Sequence, residues 1–397
     1  MNRRINNEEK KNMFTMEYLK NALIAATVFV VVMAGCETTV EYKPAAQGGA
    51  GGTTTSSTSS TTSANGGAGL GGDVSVGTVA SASSGLGGFG GSLPACPPDK
   101  PAEFAVDQMF LGDVDFTGVP NPTNGWKNFG FNLDGRISTK ASTDLCKPRA
   151  GGSPAGVFPD GNNGIDNSFG KNVLPILLGL ASDVSVANNE AIANGDYTYL
   201  WSVAAGNGFE CSTTSSFFLG GFLGQPPKFD GSDVWPVDAS SLFNPNDPKS
   251  AKCTFPDTRF EGNVAGALPP APFNFVLMIA GMKMVIPLNL TMITFEFTPD
   301  RSRVERGMIG GVISTDEFVQ SIAKMAAAFD SSFCDPMSPT LQSILNQIQQ
   351  ASDIMKDGSQ NPFAECDGIS IGLGFTMKPV RIDGVTIPPP DVDPCAP

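Results

Sequence analysis

The sequence predicts a mainly β protein: an antiparallel β-sandwich-like domain with a helical insertion near 315–356, preceded by a disordered tether. Three observations carry this. Short apolar runs with period-two alternation recur between Gly, Pro, Asn and Asp turns, without regular strand–helix alternation. Helical apolar stripes with cap residues are concentrated late in the chain. A long Gly/Ser/Thr block precedes all of them. The chain has 397 residues, 41% hydrophobic and only 16% charged, with Gly 46 and Pro 31, so a packed core coexists with much loop or tether.

Residues 1–35 read as a signal peptide. Five basic groups (Arg3, Arg4, Lys10, Lys11, Lys20) and three acidic ones (Glu8, Glu9, Glu17) precede an uncharged apolar run over 21–35. That run is short for a bilayer span, which takes about 20 residues. Met33-Ala34-Gly35-Cys36 resembles the bacterial lipobox. The resemblance implies that Cys36 is lipidated and becomes the new N-terminus. Glu37, where an Asp tends to retain such proteins at the inner membrane, leans toward the outer membrane.

Residues 36–95 follow as the lipidated cysteine and tether. Only Glu37, Glu41, Lys43 and Asp73 are charged between 37 and 95, and Thr53–Ser63 is an unbroken Ser/Thr run. Such a segment buries too little apolar surface to offset its ordering entropy. As a random coil it reaches about 40–45 Å.

Residues 96–397 form the folded, disulfide-containing β-rich domain. A short strand and Asp-Gly turn are expected over 128–137, and strands over 197–203, 215–223, 273–279, 283–288, 291–298, 303–313 and 368–376. Ile293, Phe295 and Phe297 alternate with Thr294, Glu296 and Thr298, which marks one buried face. The stretch 273–295 has only Lys283 charged, but Pro287, Asn274 and Asn289 argue for two buried strands rather than a membrane helix. Ser314 begins one helix, with Phe318, Ile322, Met325 and Phe329 on its apolar face; Ser338-Pro339 begins another. A weaker helix over 167–180 is interrupted by Pro175.

Seven cysteines follow Cys36, none closer than 29 residues to the next, which excludes a zinc ribbon or a C-x-x-C redox motif. In an exported chain such cysteines form structural disulfides. An odd number leaves one thiol over, and Cys334 with Cys366 is the expected bridge because the two bracket a helical segment.

Composition limits the chemistry. No histidine occurs, which excludes Ser-His-Asp and Cys-His catalysis and histidine-bearing metal sites. A net charge of −14 disfavours nucleic acid as a partner. Calcium is the one cofactor suggested. Asp160, Asn162 and Asp166 offer oxygens in D-x-N-x-x-x-D spacing, and Asp134 stands ready in a neighbouring turn. The commoner role of such residues is an Asx-rich turn in which Asp166 caps the helix from Asn167, and the sequence favours it. The Trp235 loop, with Asp230 and Asp233, could stack on a sugar, though a packed aromatic is the more ordinary role. A glycosidase would need two carboxylates, and Glu296 and Glu305 on successive strands could face each other as such a pair, though charged residues on a solvent face commonly do so without chemistry.

Beyond the lipobox, the segments Gly130–Gly135, Asp160–Asn167, Phe229–Trp235 and Cys366–Phe375 resemble uncharacterised secreted bacterial lipoproteins with one cysteine-bearing β-rich domain. That resemblance implies no activity. The expectation is a lipid-anchored envelope protein at the outer membrane, periplasmic or surface-exposed, with a non-catalytic binding or structural role. A glycan or an envelope protein is its expected partner. The alternative is a carboxylate-dependent polysaccharide hydrolase.

Overall fold

The computed structural model describes Ala95 and residues 102–203, 210–279, 282–388 and 394–395. The expected signal peptide, Cys36 and nearly all of the tether lie outside these residues.

Eight strands form a closed ring. They are β1 (Ala102–Phe110), β2 (Thr198–Val203), β3 (Glu210–Gly220), β5 (Cys253–Glu261), β6 (Val264–Ile279), β7 (Met282–Phe297), β8 (Val304–Ser314) and β9 (Gly368–Pro379). Each is antiparallel to its neighbours, and the ring closes where β3 pairs β5 and β9 pairs β1. Two further strands, β4 (Val234–Asp238) and β10 (Arg381–Thr386), run parallel to each other, and β4 joins the end of β3. The mainly β class, the antiparallel neighbours and the helices near 315–356 are as the sequence predicts. The facing layers expected of a sandwich are opposite walls of one curved sheet, with β4 and β10 as a partial outer layer.

The ring is filled rather than hollow. Inward positions alternate along each strand. On β7, Ile293, Phe295 and Phe297 are buried, as the period-two pattern requires. Trp201 on β2 stacks on Phe295 at 3.8 Å between centroids, Phe375 of β9 meets Phe295 edge-on, and Tyr199 stacks on Phe275 at 5.6 Å. Outside the ring, Trp235 and Val237 of β4 pack on Ala105, Leu200 and Phe218.

One end of the ring is closed by helix. A π-helical turn, Phe169–Val173, leads into α1 (Leu174–Leu180), with Pro175 accommodated in the first turn, where a missing N–H costs nothing. Next comes α2 (Val184–Asn194), a helix the sequence reading missed because two asparagines sit on it where a stripe would be apolar. Those asparagines hold it across the barrel end. Asn189 accepts from Met109 N–H at 2.8 Å and donates to its carbonyl at 2.9 Å. Asn188 does the same with Met278, at 2.8 and 2.9 Å. Met109 and Met278 are the penultimate residues of β1 and β6, on opposite sides of the ring. The two late helices, α3 (Thr315–Met325) and α4 (Pro339–Gln349), bury Phe318, Ile322 and Met325, and Leu341, Ile344, Leu345 and Ile348, as their spacing predicts.

The disulfide expectation is corrected. Cys366 bonds Cys146, and Cys334 bonds Cys395. Cys366 precedes β9 and lies beside Cys146 because Lys147 and Glu365, their chain neighbours, form an isolated parallel bridge, while Cys334 reaches the C-terminal segment. Cys211 is also disulfide-bonded, and Cys253 is buried.

Candidate functional site

The densest polar chemistry lies where the segment 111–172 covers the outer face of β8 and β9. That face is lined with small residues: Ser370, Gly372 and Gly374 on β9, and Gly310 on β8. Their small size lets the covering chain come close. A Cβ on Gly372 would stand 2.2 Å from the Phe129 carbonyl oxygen, and one on Gly310 would stand 2.6 Å from the Phe131 ring. The expected strand over 128–137 is instead part of this cover, with an isolated β-bridge between Phe131 and Asp166 and a turn at Gly135.

Asn167, 2% exposed, is the pin. Its Nδ2 donates to the carbonyls of Trp126, Phe129 and Gly372 at 3.1, 3.1 and 2.9 Å. Its Oδ1 accepts from Gly170 N–H at 2.9 Å and Gly372 N–H at 3.1 Å. Next to it Ser168 donates to the Ala351 carbonyl at 2.6 Å, and Ser370 Oγ accepts from Ser168 N–H at 2.8 Å. Ser370 in turn donates its N–H and hydroxyl to the two oxygens of Asp353, at 2.9 and 2.5 Å.

Around this pin gather four carboxylates and one ammonium. Asp166 is buried and accepts from Leu133 N–H at 2.6 Å. Asp134 accepts from Arg136 N–H and from Gln360 Nε2, at 2.8 and 2.9 Å. Asp160 accepts from Ser138 N–H. Lys171 donates to the Pro159 carbonyl at 2.9 Å and lies 5.5 Å from the centre of the Trp126 ring. Burial disfavours the charged forms of Asp160, Asp166, Asp353 and Lys171. It pushes Asp160 up to about 7, with a further lift from Asp134. It also pushes Asp353 up to about 7, against the hydrogen bonds from Ser370. Asp166 rises well above the usual carboxylate range through burial and the neighbouring Asp134, Asp160 and Asp353. Burial draws Lys171 down.

Comparisons with protein-family models, with curated proteins and with solved structures returned no match.

The residues expected to hold calcium are therefore placed as follows. Asp134, Asp160 and Asp166 fall in one neighbourhood, but each oxygen named above is turned onto a backbone N–H or an amide. Asn162 donates to the Asn128 side chain at 2.7 Å. Among the described residues, no group of three or more His, Cys, Asp or Glu is placed to hold a metal ion. Only Asp134, which accepts from Arg136 N–H two residues on, makes an Asx turn; Asp160 and Asp166 accept from Ser138 and Leu133 across the cover, and Asp166 does not cap the helix after Asn167. Trp235 is fully buried, so it offers no stacking face. Glu296 and Glu305 face guanidiniums rather than each other: Arg306 at 4.0 Å and Arg303 at 2.8 Å. Sequence reasoning missed Asp353, Ser370, Lys171 and Gln360. The small-residue alternation Ser370, Gly372, Gly374 was the available signal, since a face without bulk marks a surface on which something else lies.

Proposed function

We propose that this protein is exported, lipid-anchored at Cys36 and held off the membrane by residues 37–95, and that its barrel does non-catalytic binding or structural work at the cell envelope. The observation that supports this best is the pair of long-range disulfides, Cys146–Cys366 and Cys334–Cys395, because bridges of this kind persist in oxidising compartments. The buried carboxylates support a non-catalytic role. Asp160, Asp166 and Asp353 accept from backbone and hydroxyl donors that hold the cover on the barrel, and a general acid must instead reach a substrate. Radiolabelled palmitate fed to producing cells should mark the native chain and leave Cys36→Ala unlabelled, with the variant moving from the membrane pellet to the soluble fraction. An unmodified, unprocessed N-terminus in native material overturns the anchor.

A further inference from the structure

Strand β9 is flanked by two bulges at the same height. On one side, Val106 and Gln108 of β1 pair with the consecutive residues Met377 and Thr376, so Asp107 is an extra residue. On the other side, Val304 and Gly307 of β8 pair with Met377 and Phe375, two residues apart, so one of Glu305 and Arg306 is extra. The β7 ladder identifies which, because Glu296 and Phe297 pair with Arg306 and Val304 and leave Glu305 unopposed. A bulge re-aims the side chain it carries. Here both re-aimed side chains are carboxylates, and both border one groove of about 330 Å³ on the outer wall, with Thr376 on the strand between them. That volume lies at the lower end of the usual range for small-ligand sites, about 300–1,000 Å³.

Each carboxylate in the groove has a cation. Lys378 stands 3.0 Å from Asp107, and Arg303 stands 2.8 Å from Glu305. Thr376 adds a hydroxyl, donated to Asp107 at 2.7 Å, and Gln108 adds an amide. Beside Lys378, 5.8 Å from its ammonium, lies the ring of Phe229. Phe229 is held at φ 55°, a left-handed conformation unusual for a bulky residue, by Asp233, which accepts from the N–H groups of Lys228 and Phe229.

We propose that this groove binds a neutral, hydroxyl-rich ligand, an oligosaccharide. The inference rests on the binding role proposed above and gives it a ligand class. Two carboxylates against one guanidinium and one ammonium leave the groove without net charge. A free anion meets Asp107 and Glu305 and a chain of net charge −14, and a free cation meets Arg303 and Lys378. A sugar hydroxyl suits both kinds of group, since it donates to a carboxylate and accepts from a guanidinium or ammonium at once. The Phe229 ring, partly buried against the core, lies under the Lys378 ammonium and holds that cation at the groove.

The test is calorimetric titration of the full chain with maltohexaose, cellohexaose and chitohexaose, and with inorganic phosphate and heparin as charged probes. At least one neutral hexasaccharide should bind, and Arg303→Ala, Glu305→Gln and Lys378→Ala should each weaken it at least tenfold. Lys252→Ala, remote from the groove, should leave it unchanged. Thermal melting of each variant guards against misfolding. Glu305→Gln, at an exposed side chain, carries the test if Arg303→Ala does not fold. Failure of all three sugars at millimolar concentration, binding that survives the groove substitutions, or phosphate or heparin binding that those substitutions abolish overturns the proposal. The result is independent of palmitate labelling: a silent groove leaves the anchor standing, and an unlabelled Cys36 leaves the groove standing.

Discussion

Asp353 illustrates how a buried carboxylate can set a pH dependence. Its oxygens both accept from Ser370, which stabilises the charged form, yet burial outweighs this and lifts the group to about 7. Burial lifts Asp160 to about 7 as well, and it raises Asp166 well above the usual carboxylate range. In the unfolded chain an aspartate titrates near 3.9, so between about pH 4 and pH 7 the folded state holds protons that the unfolded state has released. Stability from Asp160 and Asp353 is fully present below about pH 4 and is lost as pH rises through about 7. The urea midpoint should therefore be higher at pH 5 than at pH 8. For a buried group such as Asp353 the slope is at most about 1.4 kcal/mol per pH unit. Asp353→Asn cannot titrate and should flatten the profile; equal slopes in the variant and the native chain would refute this. Asp160 and Asp166 were legible in the sequence as a polar turn. Asp353 was not, because its meaning comes from Ser370 on a strand folded against it.

Whole elements were legible in proportion to how regular their alternation is. Strand β9 reads plainly, with Ile369, Ile371, Leu373 and Phe375 inward. Strands β1, β4, β5 and β10 escaped the sequence reading. The bulge at Asp107 reverses the phase of β1 halfway along, Pro256 and Asp257 interrupt β5, Pro236 interrupts β4, and β10 is largely exposed. The candidate site shares this fate: its covering loop has no periodicity, and only the small face of β9 announces it. That face makes a prediction at its own scale. Gly372→Ala places a Cβ against the Phe129 backbone, which cannot rotate aside, so the cover must lift. A loss of about 1–3 kcal/mol is expected, as for overpacked cores. Gly179→Ala on the exposed side of α1 meets nothing within 4 Å and should be neutral or slightly stabilising. Chemical denaturation of the two variants side by side decides it; equal stabilities would mean that the close contact is not maintained in solution.

At the scale of the molecule, the sequence conveyed class but not closure. Closure depends on β3 meeting β5 from Glu210 to Phe217 and β4 at Gly220, a division that no local pattern encodes. Nor do the spacings of the cysteines encode their partners, which is why Cys146 was overlooked for Cys366. The Cys146–Cys366 bridge, spanning a separation of 220 residues, ties the cover to the approach of β9. Chain-entropy reasoning gives a bridge of that span about 5 kcal/mol. Reductant should lower the melting temperature markedly, and non-reducing peptide maps should recover the 146–366 and 334–395 pairs; a map pairing Cys334 with Cys366 would contradict the fold. The ring has one more consequence. Phe104 lies opposite Pro379, so the earliest strand to leave the ribosome waits for the last of the ring before both its edges are paired. A nascent chain halted short of Gly368 would carry raw edges on β1 and β8, the kind of surface that chaperones hold and proteases clear.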